Sequence, residues 1–229
     1  MKIPLFDIDW TLLDKDPKRN IHHEAFLYAY EKVFNITNPK EINDEGKLDN
    51  QVIIEVMQLN GVSREEVRQK LPEAFEAMKK YFFEHINEGT VHALPGVKEL
   101  LGSLKEKGVY FGLLTGNVED IGWAKLKQAG IRDFFDFGGF GDKGEKRVDL
   151  IHIAKDQAEK ILNRRIEVEE FVIIGDTPLD VACAKQGGIE CIAVASGPYS
   201  FEDLVSADAD LVISDLKEKD RVLKFLEVS

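Results

Sequence analysis

Apolar residues recur along this chain in two rhythms. Residues 2–8, KIPLFDI, form a short apolar run ending in acid, the pattern of a buried parallel strand. Pro4 fits such a strand only near its beginning. From Asp16 the apolar spacing lengthens to that of helices, in HHEAFLYAYEKVF, NQVIIEVMQLNGV and REEVRQKLPEAFEAMKKYFFEHI. Asp49 and Ser63 stand just before the second and third as N-cap candidates. Residues 16–90 therefore predict helices without a strand.

After ALPG, at residues 93–96, the two rhythms alternate. Helix VKELLGSLKEKG precedes strand VYFGLLT, and helix VEDIGWAKLKQAG precedes a short strand near FFDFGG. A helix from about Arg147 to Leu162 follows, then strand EFVIIGD, helix PLDVACAKQGG and strands CIAVAS and DLVIS. Strands alternating with helices predict an α/β fold, a doubly wound parallel sheet with helices on both faces. The first strand belongs to that sheet but is cut off from it by the helical block. The expected organisation is a core of residues 1–15 and 91–229, with an all-helical insertion at 16–90.

Composition narrows the function classes. With 30 Lys plus Arg against 42 Asp plus Glu, the net charge of −12 repels a phosphate backbone, so nucleic-acid binding is not expected. A locally cationic site could still admit a small phosphorylated ligand. No apolar run approaches the roughly 20 residues needed to span a bilayer, and acids at Asp7 and Asp9 argue against a signal peptide. Cys183 and Cys191 form no CxxC pair, as expected of reduced core thiols in a cytoplasmic protein.

In open parallel sheets, ligands bind beyond the carboxyl ends of the strands. Those ends carry Asp7-Ile8-Asp9-Trp10-Thr11, Thr115-Gly116-Asn117 and Gly175-Asp176-Thr177-Pro178-Leu179-Asp180. Asp7 and Asp9 lie two apart and share a side of extended backbone. With Asp176 they form an oxygen-rich set suited to Mg²⁺, which binds through a few carboxylates plus substrate phosphate. Thr115 offers a hydroxyl, Gly116 would open a helix whose amides hold an anion, and Lys146 or Arg147 would balance the remaining phosphate charge.

FDIDWTLLD, GLLTGN and VIIGDTPLDVACA resemble the motifs of the haloacid-dehalogenase-like phosphohydrolase superfamily, and most of all its phosphoglycolate-phosphatase-like members. The resemblance covers nearly the whole chain and implies a Rossmann-like core with a small helical cap. It implies a Mg²⁺-dependent phosphatase for a small phosphorylated metabolite, with Asp7 as nucleophile and Asp9 as acid and base. The Asp7 carboxylate, the Asp9 main-chain carbonyl and Asp176 would hold the metal, and Asp180 would support its water shell. Thr115, Gly116 and Asn117 would bind phosphate. Two departures stand out. Trp10 occupies a position where glycine is usual, and could pack against the cap or narrow the entrance. The stretch EKRVDLIHIA replaces the family's lysine–proline motif, and its spacing favours Arg147 over Lys146. Within the cap, Lys47 in EINDEGKLDNQ is a candidate substrate contact, whereas His22 and His23 are expected to be solvated or capping.

The runner-up within this superfamily is a phosphosugar mutase. A phospho-receiver switch, from a different class, uses similar residues but lacks a helical insertion after its first strand. A monomer or weak dimer is expected. Gly139, Gly141 and Gly144 match the spacing of a dinucleotide fingerprint but follow a later strand, so they are expected only to shape a turn.

Overall fold

The computed structural model describes residues 1–14 and 19–228 of the chain. Six parallel strands form one sheet in the order β3-β2-β1-β4-β5-β6. They are β1 (Ile3–Phe6), β2 (Gly112–Thr115), β3 (Gly138–Phe140), β4 (Phe171–Gly175), β5 (Glu190–Val194) and β6 (Leu211–Ile213). β1 sits at the centre, with Leu5 opposite Gly112 on one side and Ile173 on the other. The strand order reverses beside β1, which opens a crevice at the carboxyl ends of β1 and β4. The doubly wound expectation therefore holds.

Alternation along the strands divides the core between two faces. Phe6, Leu113, Val172, Ile174 and Ile192 pack one face against α4 (Val97–Glu106), α5 (Glu119–Gln128) and α9 (Lys219–Phe225). Leu5, Leu114, Phe171, Ile173 and Cys191 pack the other against α6 (Asp149–Leu162), α7 (Pro178–Gly187) and α8 (Phe201–Ser206). Both cysteines are buried and unpaired on that second face. Burial pushes the Cys183 thiol up to about 12 and the Cys191 thiol well above its ordinary value, which leaves both unreactive.

Between β1 and α4, α1 (Ile21–Phe34), α2 (Asp49–Leu59) and α3 (Arg64–His85) share their own apolar cluster, built on Phe26, Tyr30, Ile53, Met57, Met78 and Phe82. Val118, just before α5, and Ile121 within it join that cluster, so the helical block rests on the helix that follows β2. The junction expected at residues 15–16, at Asp16, lies outside the described residues. Ser63 caps α3 as expected, accepting from the Glu66 amide. Asp49 does not cap α2; it is that helix's first residue, and Leu48 precedes it. Two further helices begin later than their motifs predict: α5 at Glu119 rather than Gly116, and α6 at Asp149 rather than Arg147.

Candidate active site

β1, β2 and β4 end at one cleft, lined by Asp7, Asp9, Thr115, Gly116, Asn117 and Asp176, with Arg147 between them. Each motif reaches it through the local fold. Asp7 follows β1 directly, its amide bonded to Ile174 O at 2.9 Å and its own Oδ1 accepting from the Ile8 amide at 2.8 Å. Asp176 follows β4, and Thr11, fully buried, donates to its Oδ1 at 3.1 Å. In α7, Thr177 and Asp180 cap each other: Asp180 Oδ2 accepts from the Thr177 hydroxyl at 2.7 Å and amide at 3.1 Å. Pro178 sits at the first helical position, where its missing N–H is harmless.

Oxygens of Asp7, Asp176 and Asp180 lie within 4.8 Å of one another, all three residues buried. Arg147 is buried with them. It donates to Asp180 Oδ1 at 2.5 Å, pairs with Asp7 Oδ2 at 3.2 Å, and donates its other terminal nitrogen to Gly46 O at 2.9 Å. Lys146, by contrast, is exposed. The structure thus brings Arg147 into the cluster and leaves Lys146 outside.

Burial, opposed by Arg147, pushes the Asp7 carboxyl from its ordinary 3.8 up to about 6, with Asp180 and Asp9 adding repulsion. Burial, then repulsion from Asp180 and Asp7, holds Asp176 well above its ordinary value. Burial works against the Arg147 charge, but Asp180 and Asp7 outweigh it and hold the guanidinium above its ordinary value. Asp7 and Asp180 thus share one cation, which does not pair with Asp176, and the buried Asp176 Oδ2 has no hydrogen-bond partner among the described residues. An acidic oxygen set with an orphaned carboxylate oxygen fits a hard divalent cation. Asp180, whose two oxygens already accept from Thr177 and Arg147, fits a supporting place better than a ligand's.

A stability experiment follows. Asp7 and Asp176 both bind a proton more tightly folded than unfolded. Their contribution is therefore complete below the ordinary 3.8 and is lost as pH climbs through about 6 for Asp7. For Asp7 alone the loss is on the order of 3 kcal/mol. Metal-free protein is expected to melt lower at about pH 7.5 than at about pH 5, and Mg²⁺ to raise the melting temperature chiefly at the higher pH. Thermal scans with chelator and with Mg²⁺ at both pH values check this.

Thr115, fully buried, accepts from Asn117 Nδ2 at 2.8 Å. The anion cradle expected at the following helix is narrower than its sequence predicts. The Val118 amide donates to Asp49 Oδ2 at 2.8 Å and the Glu119 amide to Asp142 Oδ1 at 2.9 Å. Gly116 packs tightly here: a Cβ on it would lie 2.1 Å from Lys47 O, and one on Gly141 would lie 1.9 Å from Gly116 O. Gly141 thus serves close backbone packing, as expected of a turn. The loop of residues 41–48 reaches the strand ends, and Lys47 lines the cleft while its Nζ pairs with Glu55 at 2.8 Å. Trp10 adopts φ 60°, the left-handed region that favours glycine, and it is not among the residues lining the cleft.

Several neighbours escaped sequence reasoning. Asp9 turns its carboxylate to Lys125, whose Nζ donates to both oxygens at 2.9 and 2.8 Å, and to Asn117 Nδ2 at 2.9 Å. Lys125 lies on the buried stripe of α5 with Ile121, Gly122 and Leu126. A lysine at an apolar helical position is the signal that could have found it. His22 is not a solvated residue, since its Nε2 stands 3.0 Å from Asp49 Oδ2 and its Nδ1 3.0 Å from Lys125 Nζ. His23 is half exposed beside Glu41.

Comparison with known proteins matches this chain over residues 4–194 to the model of the haloacid dehalogenase-like hydrolases. The chain belongs to that family. This haloacid dehalogenase-like hydrolase is 28% identical to a phosphoglycolate phosphatase of Neisseria meningitidis, over 93% of this chain and 89% of the relative. A phosphoglycolate phosphatase of Chromobacterium violaceum is 30% identical over 59% of this chain, but the match spans only 58% of that relative. Among solved structures, a hydrolase from Pseudomonas syringae shares the fold at TM-score 0.67, with 20% identity and 99% of each chain covered. Among the described residues, this hydrolase has no helix long and apolar enough to cross a membrane.

Proposed function

We propose that this chain is a Mg²⁺-dependent phosphomonoester hydrolase that acts on a small phosphorylated metabolite through an aspartyl-phosphate at Asp7. The observation that carries this reading is the buried cluster in which Arg147 lies between Asp7 and Asp180, beside Asp176. Asp7 Oδ attacks phosphorus as the ester oxygen departs, and Asp9 gives that oxygen a proton. Asp9 then takes a proton from the water that attacks the aspartyl-phosphate, and Asp7 is released. Thr115 and the Gly116 amide hold phosphate oxygens, and Arg147 offsets their charge. Asp7, the Asp9 main-chain carbonyl and Asp176 would hold the metal ion, with Asp180 behind them. When bound, the ion supplies charge neutralisation at the transferring phosphate and favours the ionised Asp7.

The three helices within residues 16–90 act as a cap, and Lys47 is its candidate contact to the substrate. The relatives named for phosphoglycolate make that ester the first metabolite to try. Purified protein is expected to release phosphate from p-nitrophenyl phosphate over many turnovers with Mg²⁺, and to stop in chelator. Full activity in chelator would falsify the metal requirement. Phosphate transfer without release favours a mutase, and a single stable phosphorylation without turnover favours a switch.

A further inference from the structure

Lys125 is 4% exposed and sits beside Asp9, not beside the three-carboxylate cluster. Its ammonium carries three hydrogens and meets three partners: the Asp9 carboxylate, Asn117 Oδ1 at 2.7 Å and His22 Nδ1 at 3.0 Å. A charged ammonium only donates, so His22 presents a lone pair at Nδ1. The His22 proton then lies on Nε2, where it donates to Asp49 Oδ2. Asp49 is buried, and the same oxygen accepts the Val118 amide. The result is a continuous chain of polar contacts, Asp49–His22–Lys125–Asp9. It runs from α1 and α2 of the helical block to the end of β1.

We propose that Lys125 is the positioning residue for Asp9, held in turn by His22 and Asp49, so that seating the helical block on the core fixes the aim of Asp9. This rests on the phosphatase reading above, in which Asp9 serves the departing oxygen. Lys125 spans both carboxylate oxygens of Asp9 while Asn117 Nδ2 holds one of them. Without Lys125 the carboxylate loses the partner that spans both oxygens and can swing. Proton delivery depends on hydrogen-bond reach to the reacting oxygen, so a misplaced Asp9 costs most where the leaving group needs a proton.

The test compares two phosphate esters in wild type, Lys125→Gln and Lys125→Met. p-Nitrophenolate departs with little help, whereas the alkoxide of glycerol 2-phosphate must be protonated. Lys125→Gln is expected to lower kcat/KM by less than about tenfold on the aryl ester and by about 10²-fold on the alkyl ester, the lower end of general acid–base contributions. In an Asp9→Asn background, adding Lys125→Gln should change either value by less than about twofold, because Lys125 acts through Asp9. Equal losses on both esters, or a further tenfold loss in the Asp9→Asn background, overturn the proposal. Circular dichroism confirms folding. Should neither Lys125 variant fold, His22→Gln is compared on the same two esters: a larger loss on the alkyl ester supports the proposal, and equal losses overturn it. Wild type inactive on both esters overturns the phosphatase reading itself, and the positioning role with it.

Discussion

Asp7→Asn is expected to lower phosphate-ester turnover by about 10⁴-fold or more, the scale on which loss of a covalent nucleophile is felt. An amide oxygen carries no charge with which to attack phosphorus and makes a poor cation ligand. The fold should survive the change. Asp7 is buried against Asp176 and Asp180, and it shares the Arg147 cation with Asp180. Removing one of these acids relieves repulsion in metal-free protein. The melting temperature of metal-free Asp7→Asn at about pH 7.5 is therefore expected at or above that of wild type. Loss of activity with a lowered melting temperature would point instead to collapse of the site. Persistent turnover in this variant would remove Asp7 from the chemistry.

Arg147→Ala is expected to damage both stability and activity. The guanidinium is 8% exposed and binds Asp7, Asp180 and the Gly46 carbonyl. Its removal strands two buried carboxylates, a loss of about 3–5 kcal/mol for a broken buried pair. Activity should fall by about 10²–10³-fold, the cost of removing one group that steadies developing charge. Lys146→Ala, at an exposed neighbour, should stay within about 0.5 kcal/mol of wild type and keep its turnover. Denaturant melts and steady-state rates on the pair check this. The reverse order would mean that the wrong one of two adjacent cations had been placed in the cluster.

The main architecture was legible because its signal is periodic. Short apolar runs ending in acid, threonine or GDT read as strands whose ends meet, and β1, β2 and β4 do meet at one cleft. Helix starts were less legible, since Gly116 and Arg147 look like first-turn residues yet precede α5 and α6 by a tight turn. The partners of Asp9 were hidden for another reason. Lys125, unlike Lys127, lies on the apolar stripe of its helix, but only tertiary packing decides which partners it meets there. His22 and Asp49 looked like helix-start residues because local sequence offers them that role first. They join a network with α5 only once the helical block meets the core.

The central place of β1 has a consequence for biosynthesis. This strand is made before every other strand of the sheet, yet its Ile3 pairs with Phe171 and its Leu5 with Gly112. At roughly 5–20 residues per second, it waits on the order of ten to thirty seconds for β4 to be made. Helices α1–α3 pack on one another through near-sequence contacts and can form during that interval. The apolar segment that becomes the middle of the sheet lacks β2 for the first part of that interval and β4 throughout it. Nascent chains stalled before β4 are therefore the species most exposed to aggregation and most in need of a chaperone.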